Sequence, residues 1–155
     1  MRKRKRNTTL PDVIEDTILG PLYFTAALEG MDEYEARTTV GRRPVTITLY
    51  TDEDASLRSC IDRARKIVQR LPTDLARIHL YMEKRVFPDY NSIWREDQEP
   101  LTIQQFLRRV SLQMITTHPD PRATYWYDMG DLFGGHILQI EMGARYRILG
   151  FDTPG

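Results

Sequence analysis

The sequence predicts an α+β fold. The expected form is an antiparallel sheet, an N-terminal three-strand meander plus four C-terminal strands, with helices packed on one face. Three observations carry this reading. Strand-like alternation fills the first and last thirds of the chain, helical spacing fills the middle, and strands and helices come in separate runs.

The meander comes first. "ILGPLYFTAAL" is apolar and aromatic, with Gly20-Pro21 breaking or bulging it early. "EYEARTTV" follows a turn at Glu29-Gly30-Met31-Asp32. "PVTITLYT" alternates strictly, with Val45, Ile47 and Leu49 on one face and Thr46, Thr48 and Tyr50 on the other. Gly41-Arg42-Arg43 between the last two strands suits a hairpin loop.

The middle reads as helices. Leu57, Cys60, Ile61, Ala64, Ile67, Val68 and Leu71 form an i, i+3, i+4, i+7 series, with basic residues opposite. Asp54 or Ser56 can cap its start, and Pro72 is expected to stop it. Thr73 or Asp74 then opens a second helix with Leu75, Ile78, His79, Met82 and Val86 on its inner stripe. "FPDYNSIWREDQEP" is polar with two aromatic anchors, Tyr90 and Trp94, and reads as a pinned loop. Thr102 and Gln105 have capping-box spacing at the start of a short helix edged by Ile103, Phe106, Leu107 and Val110. The strands "SLQMITTH", "ATYWYDM", "HILQIEMG" and "RYRILGF" complete the order. The turn "HPDPR" separates the first two, Gly143-Ala144 separates the last two, and Leu138, Ile140 and Met142 face inward.

Length and composition bound the function. A chain of 155 residues reads as one domain, residues 12–155, behind a basic disordered leader, 1–11. With one cysteine, Cys60, no intrachain disulfide forms, and its place on an apolar helix stripe marks it as a small core residue. No run is long and apolar enough for a membrane span, and no apolar segment follows the basic start as in a signal peptide, so a cytoplasmic protein is expected. The net charge of zero hides an asymmetry. Five of the first six residues are basic; without them 17 Lys and Arg face 22 Asp and Glu, so the body is net −5. Nucleic acid is therefore a possible partner only through the leader, since a folded binder carries a basic face.

The chemistry-bearing stretch is "YDMGDLFGGHILQIEMG", which holds two aspartates, a histidine and three glycines between Asp128 and His136. Gly130, Gly134 and Gly135 allow a bent connection, Leu132 and Phe133 can anchor it in the core, and Asp128 and Asp131 can cap backbone N–H groups. His136 would start the next strand and bond a nearby carbonyl or aspartate. The sharper alternative is a metal-dependent hydrolase centred on Asp128, Asp131 and His136, a donor set suited to a divalent transition ion. No H-x-H or C-x-x-C accompanies it, no helix or Lys-Ser follows the glycines as in a phosphate loop, and no serine lies in a G-x-S-x-G context. No metal, cofactor or catalytic residue is expected on this reading, and Trp94, Asp128, Asp131 and His136 are the candidate binding residues.

"YWYDMGDLFGGHILQIEM", with "PLTIQQFLRRVSLQMITTH" and "NSIWRED" before it, resembles an uncharacterised family of bacterial domains. Their pattern is a tryptophan loop, L-x-x-x-x-F, a strand, D-G-D-L-F-W-G-H and an alternating strand ending near a glycine. The matching residues are Trp94, Leu101, Phe106, Asp128, Gly130, Asp131, Leu132, Phe133, Gly135, His136 and Gly150, and the resemblance spans about residues 12–151. Gly134 departs from it, standing where the family has tryptophan. The resemblance implies an immunity or accessory protein of the kind found near secreted bacterial toxins. The expectation is therefore a non-enzymatic binding protein, an immunity-type inhibitor whose partner is a toxin domain. The acidic body suits a basic toxin.

Overall fold

The computed structural model describes residues 10–28, 31–52, 57–118 and 122–154. The basic stretch at 2–6, the Glu29-Gly30 turn, the Asp54 and Ser56 caps and the middle of "HPDPR" lie outside the described residues. Among the described residues one eight-stranded sheet runs in the order β1 to β8: Val13–Asp16, Gly20–Leu28, Met31–Val40, Arg43–Asp52, Ser111–Thr117, Ala123–Asp128, Leu138–Met142 and Ile148–Asp152. The chain forms two compact units. The first holds residues 1–70 and 114–123, the second 71–113 and 124–155.

In the first unit β1 to β4 pair antiparallel in sequence order, so the expected three-strand meander has four strands. The added strand, β1, is four residues long and Asp16 is the residue it buries, so it shows no apolar alternation. The turn into β2 forms because Asp16 Oδ1 accepts the N–H groups of Ile18 (2.9 Å) and Leu19 (2.8 Å) while Gly20 takes a φ of 73°. That angle suits glycine. On β4, Val45, Ile47 and Leu49 are buried as the alternation requires. β4 pairs with β5 in parallel, Ile47 opposite Ile115, which corrects the fully antiparallel expectation. Parallel neighbours need a long crossover, and the helical middle of the chain supplies it.

Helix α1 spans Leu57–Tyr81 and passes through Pro72, where two helices were expected. A proline in a helix interior removes one bond and costs about 3 kcal/mol. The burial of a continuous stripe offsets it: Cys60, Ala64, Ile67 and Leu71 before or at the break, Ile78 and Met82 beyond it. Within the first unit, Cys60 Sγ reaches Tyr50 O (3.3 Å), Arg63 Nη1 donates to His118 O (3.0 Å) and Arg65 Nε donates to Asp16 Oδ2 (2.7 Å). Ile61 and Val68 are half-buried flanks of the stripe. His79 is exposed rather than inward, and the buried polar position is Asp74.

In the second unit the helix does not end at Tyr81. Met82–Val86 and Tyr90–Trp94 are π-helical turns on either side of Phe87–Asp89, with Phe87 N–H bonding Met82 O and Arg95 N–H bonding Tyr90 O (2.8 Å). The segment read as a loop is helical through Trp94. The spacing explains it. Buried residues recur every four positions, at Asp74, Ile78, Met82, Val86 and Tyr90. In a regular α-helix each four-residue step overshoots a turn by about 40°. A widened turn takes up more residues and holds the stripe in line. Helix α2, Ile103–Arg109, starts with the expected reciprocal cap: Thr102 Oγ1 accepts Gln105 N–H (3.2 Å) and Gln105 Oε1 accepts Thr102 N–H (2.8 Å). On β7, Leu138, Ile140 and Met142 are buried as expected. β8 begins later than "RYR" suggested, because Gly143 to Arg147 form a turn closed by Gly143 N–H on Arg147 O (2.8 Å). Among the described residues no helix is long and apolar enough to cross a membrane.

Candidate functional site

β6 ends at Asp128 and β7 starts at Leu138; the glycine loop lies between them. Its first bend is local: Asp128 Oδ1 accepts Gly130 N–H (2.8 Å), and Gly130 has a φ of 58°. Three further backbone bonds coil the loop, Leu132 to Met129 (3.2 Å), Gly134 to Asp131 (3.2 Å) and His136 to Phe133 (3.0 Å). Gly134 and Gly135 also have positive φ, 60° and 82°, where a side chain would be strained. The coil drives Leu132 and Phe133 inward, as read from sequence, together with Met129, which that reading missed.

Phe133 is the centre of an aromatic cluster. Its ring lies 5.4 Å from Trp94, 5.7 Å from Tyr90 and 6.4 Å from Phe106. Trp94 also packs against His136, with centroids 5.1 Å apart, and its ring edge lies over Gly134. Four residues quoted for the resemblance, Trp94, Phe106, Phe133 and His136, thus meet in one cluster. His136 precedes β7 rather than starting it, and its Nδ1 lies 3.0 Å from Thr153 O. A carbonyl can only accept, so Nδ1 carries the proton, and in the neutral ring Nε2 is an acceptor.

The two aspartates part company. Asp128 is consumed by the Gly130 cap. Asp131 does not cap through its side chain as expected; that side chain is 91% exposed, 4.0 Å from Arg109 Nη1. Its main-chain carbonyl does the turn bonding. Among the described residues no group of three or more His, Cys, Asp or Glu side chains is placed to hold a metal ion, so Asp128, Asp131 and His136 are not brought together as one. What the loop does bring together is a half-buried Trp94 and His136, with their chain neighbours Ile93 and Ile137 exposed. Arg109 and Thr153 complete the site and were not legible, since neither has a local motif.

A second polar cluster lies in the first unit. Burial and then a hydrogen bond with Glu33 push the Tyr50 phenol up to about 12, and its ring stacks on His118 at 6.3 Å. Thr25 Oγ1 donates to Glu33 Oε1 (2.7 Å), so these groups satisfy one another.

The family model described as an uncharacterized protein conserved in bacteria (DUF2262) matches residues 16–149. The chain belongs to this family. The match takes in β2 to β7, both helices and the whole glycine loop. No curated protein and no solved structure matches the chain. The DUF2262 match covers Trp94, His136 and the whole loop between β6 and β7.

Proposed function

We propose that this DUF2262 protein is a non-enzymatic binding protein that engages another protein through the Trp94–His136 face. The observation that carries the reading is the packed Trp94–His136 pair, rings tilted at 57°, on a loop whose backbone is already bonded and whose underside is anchored by Phe133. Interfaces draw most of their energy from a few aromatic and arginine side chains held rigidly before contact. Trp94, the exposed Ile93 and Ile137, and the Asp131–Arg109 pair at the rim have that composition.

The finer form of the proposal is an immunity-type inhibitor that neutralises a bacterial toxin domain in the cytoplasm. It rests on the resemblance described above and on a body of net −5, which favours fast encounter with a basic partner. Any contact with nucleic acid would fall to the basic residues 2–6, since the rest of the chain is net acidic. The hydrolase alternative has no geometric observation in its favour.

Affinity capture from the native cell, followed by titration of the captured protein, tests the reading. The expected result is a stoichiometric protein partner that binds about tenfold or more weakly to Trp94→Ala, a loss of ~1.4 kcal/mol or more. Expressed alone the partner should arrest growth, and co-expression should relieve it. A partner whose affinity ignores Trp94 would remove the face from the proposal; a partner without toxicity would remove the immunity reading.

A further inference from the structure

Within the second unit, the end of α1 and the start of β8 enclose an open groove of about 630 Å³, lined by cations from both sides. Arg77, Lys84 and Arg85 come from the helical side and Arg147 from the turn before β8. A second hollow of about 530 Å³ shares Lys84 and Arg85 and continues to Phe151. The wall is built. Arg77 Nη1 donates to Tyr146 O (2.6 Å), tying the turn to the helix, and lies 3.5 Å from the buried Asp74. Arg77 is thus partly neutralised and acts as a strut. Among the described residues Lys84, Arg85 and Arg147 have no ion pair.

A solvated helix face accounts for Lys84 and Arg85 taken alone. It does not account for Arg147 facing them from the other side, nor for Leu80, left 56% exposed in the same lining beside Ile148. Gathering like charges costs self-repulsion, and here they gather on a body that is otherwise acidic.

We propose that this groove binds an acidic peptide segment of a partner protein. Its carboxylates would meet Lys84, Arg85 and Arg147, and one apolar side chain would rest on Leu80 and Ile148. Charge complementarity sets the sign of the occupant, and the apolar lining sets its kind. A polynucleotide has no side chain for Leu80 and needs a broad basic face. The site shares no residue with the Trp94–His136 face and stands or falls separately.

Fluorescence anisotropy with the full-length protein tests it, using a short labelled peptide of glutamates around a central leucine. Binding should weaken as salt rises, and a glutamine version of the peptide should not bind. Lys84→Glu with Arg85→Glu should reduce affinity at least about tenfold, and Leu80→Asp should also reduce it, with thermal unfolding unchanged because these side chains are exposed. Trp94→Ala should bind the peptide as the parent does. A full-length variant with residues 2–6 changed to glutamine should keep the affinity. Equal binding of the glutamine peptide, an unaffected Lys84/Arg85 variant, loss only in the leader variant, or tighter binding of an oligothymidylate at the same residues would each overturn the proposal.

Discussion

Asp16 and Asp131 both stand at turns beside an arginine, and the two regions put that pairing to opposite uses. Asp16 is buried. One carboxylate oxygen takes the N–H groups of Ile18 and Leu19, and the other takes Arg65 Nε at 2.7 Å. Burial alone would raise its pKa, but the Arg65 bond and then the two N–H groups outweigh it, and the carboxyl lies below the usual range. Asp131 is almost wholly in solvent, 4.0 Å from Arg109. An exposed pair at that distance is screened and adds little to stability. The contrast teaches that the first turn uses its aspartate to close the fold, while the glycine loop is closed by backbone bonds and buried apolar anchors and leaves its aspartate open.

If that account of the glycine loop is right, its stability sits in Phe133 and not in its charged residues. Phe133→Ala should destabilise the protein by about 3–5 kcal/mol, because it empties a fully buried position ringed by Tyr90, Trp94 and Phe106. Urea unfolding measures it. A loss under about 1 kcal/mol would mean that the loop is held by something other than its anchor, and the contrast with the Asp16 turn would fail.

Asp16→Asn comes next, at about 1–3 kcal/mol, toward the lower end because the Arg65 side chain is 38% exposed and screened. The sign with pH follows from the lowered folded-state value. The aspartate's contribution is complete above the unfolded carboxylate pKa of ~3.9 and is lost as pH falls through the lower folded value. The stability gap between parent and variant should therefore be constant near neutrality and close in acid. Denaturation series at neutral and acidic pH decide it; a gap that widened in acid would break the assignment.

How far the sequence could be read follows from how local each cause is. Val45, Ile47 and Leu49, the Thr102–Gln105 cap and the Leu132–Phe133 anchors act within a few residues of themselves, and all were legible. β1 was not, because its buried residue is an aspartate whose partner, Arg65, is distant in sequence. Pro72 does not stop the helix, because the apolar stripe on both sides of it outweighs one lost bond. Polar composition hid the helical turns around Tyr90, whose ring packs at a tilt against Phe106, centroids 5.7 Å apart. In the site, Trp94 stood out as an aromatic in a polar segment. Its packing on His136, and the different partners of Asp128 and Asp131, depend on how the loop coils, which spacing does not encode.

The smallest expected effect is the sharpest test of the comparison. Asp131→Ala should change stability by no more than about 0.5 kcal/mol, since it removes a solvated carboxylate and an exposed arginine contact and leaves no buried donor unpaired. The bond from Gly134 N–H is made to the Asp131 main-chain carbonyl, which survives the substitution. If the Trp94–His136 face is the interface, Asp131 is a rim charge, and rim charges act on encounter more than on residence. Association with the captured partner should therefore slow and lose salt dependence, while dissociation stays near the parent value. Stopped-flow association at two salt concentrations, beside thermal unfolding, separates the possibilities. A stability loss above about 1 kcal/mol would show that the Arg109 pair closes the loop as Arg65 closes the Asp16 turn, and the two aspartates would then be alike.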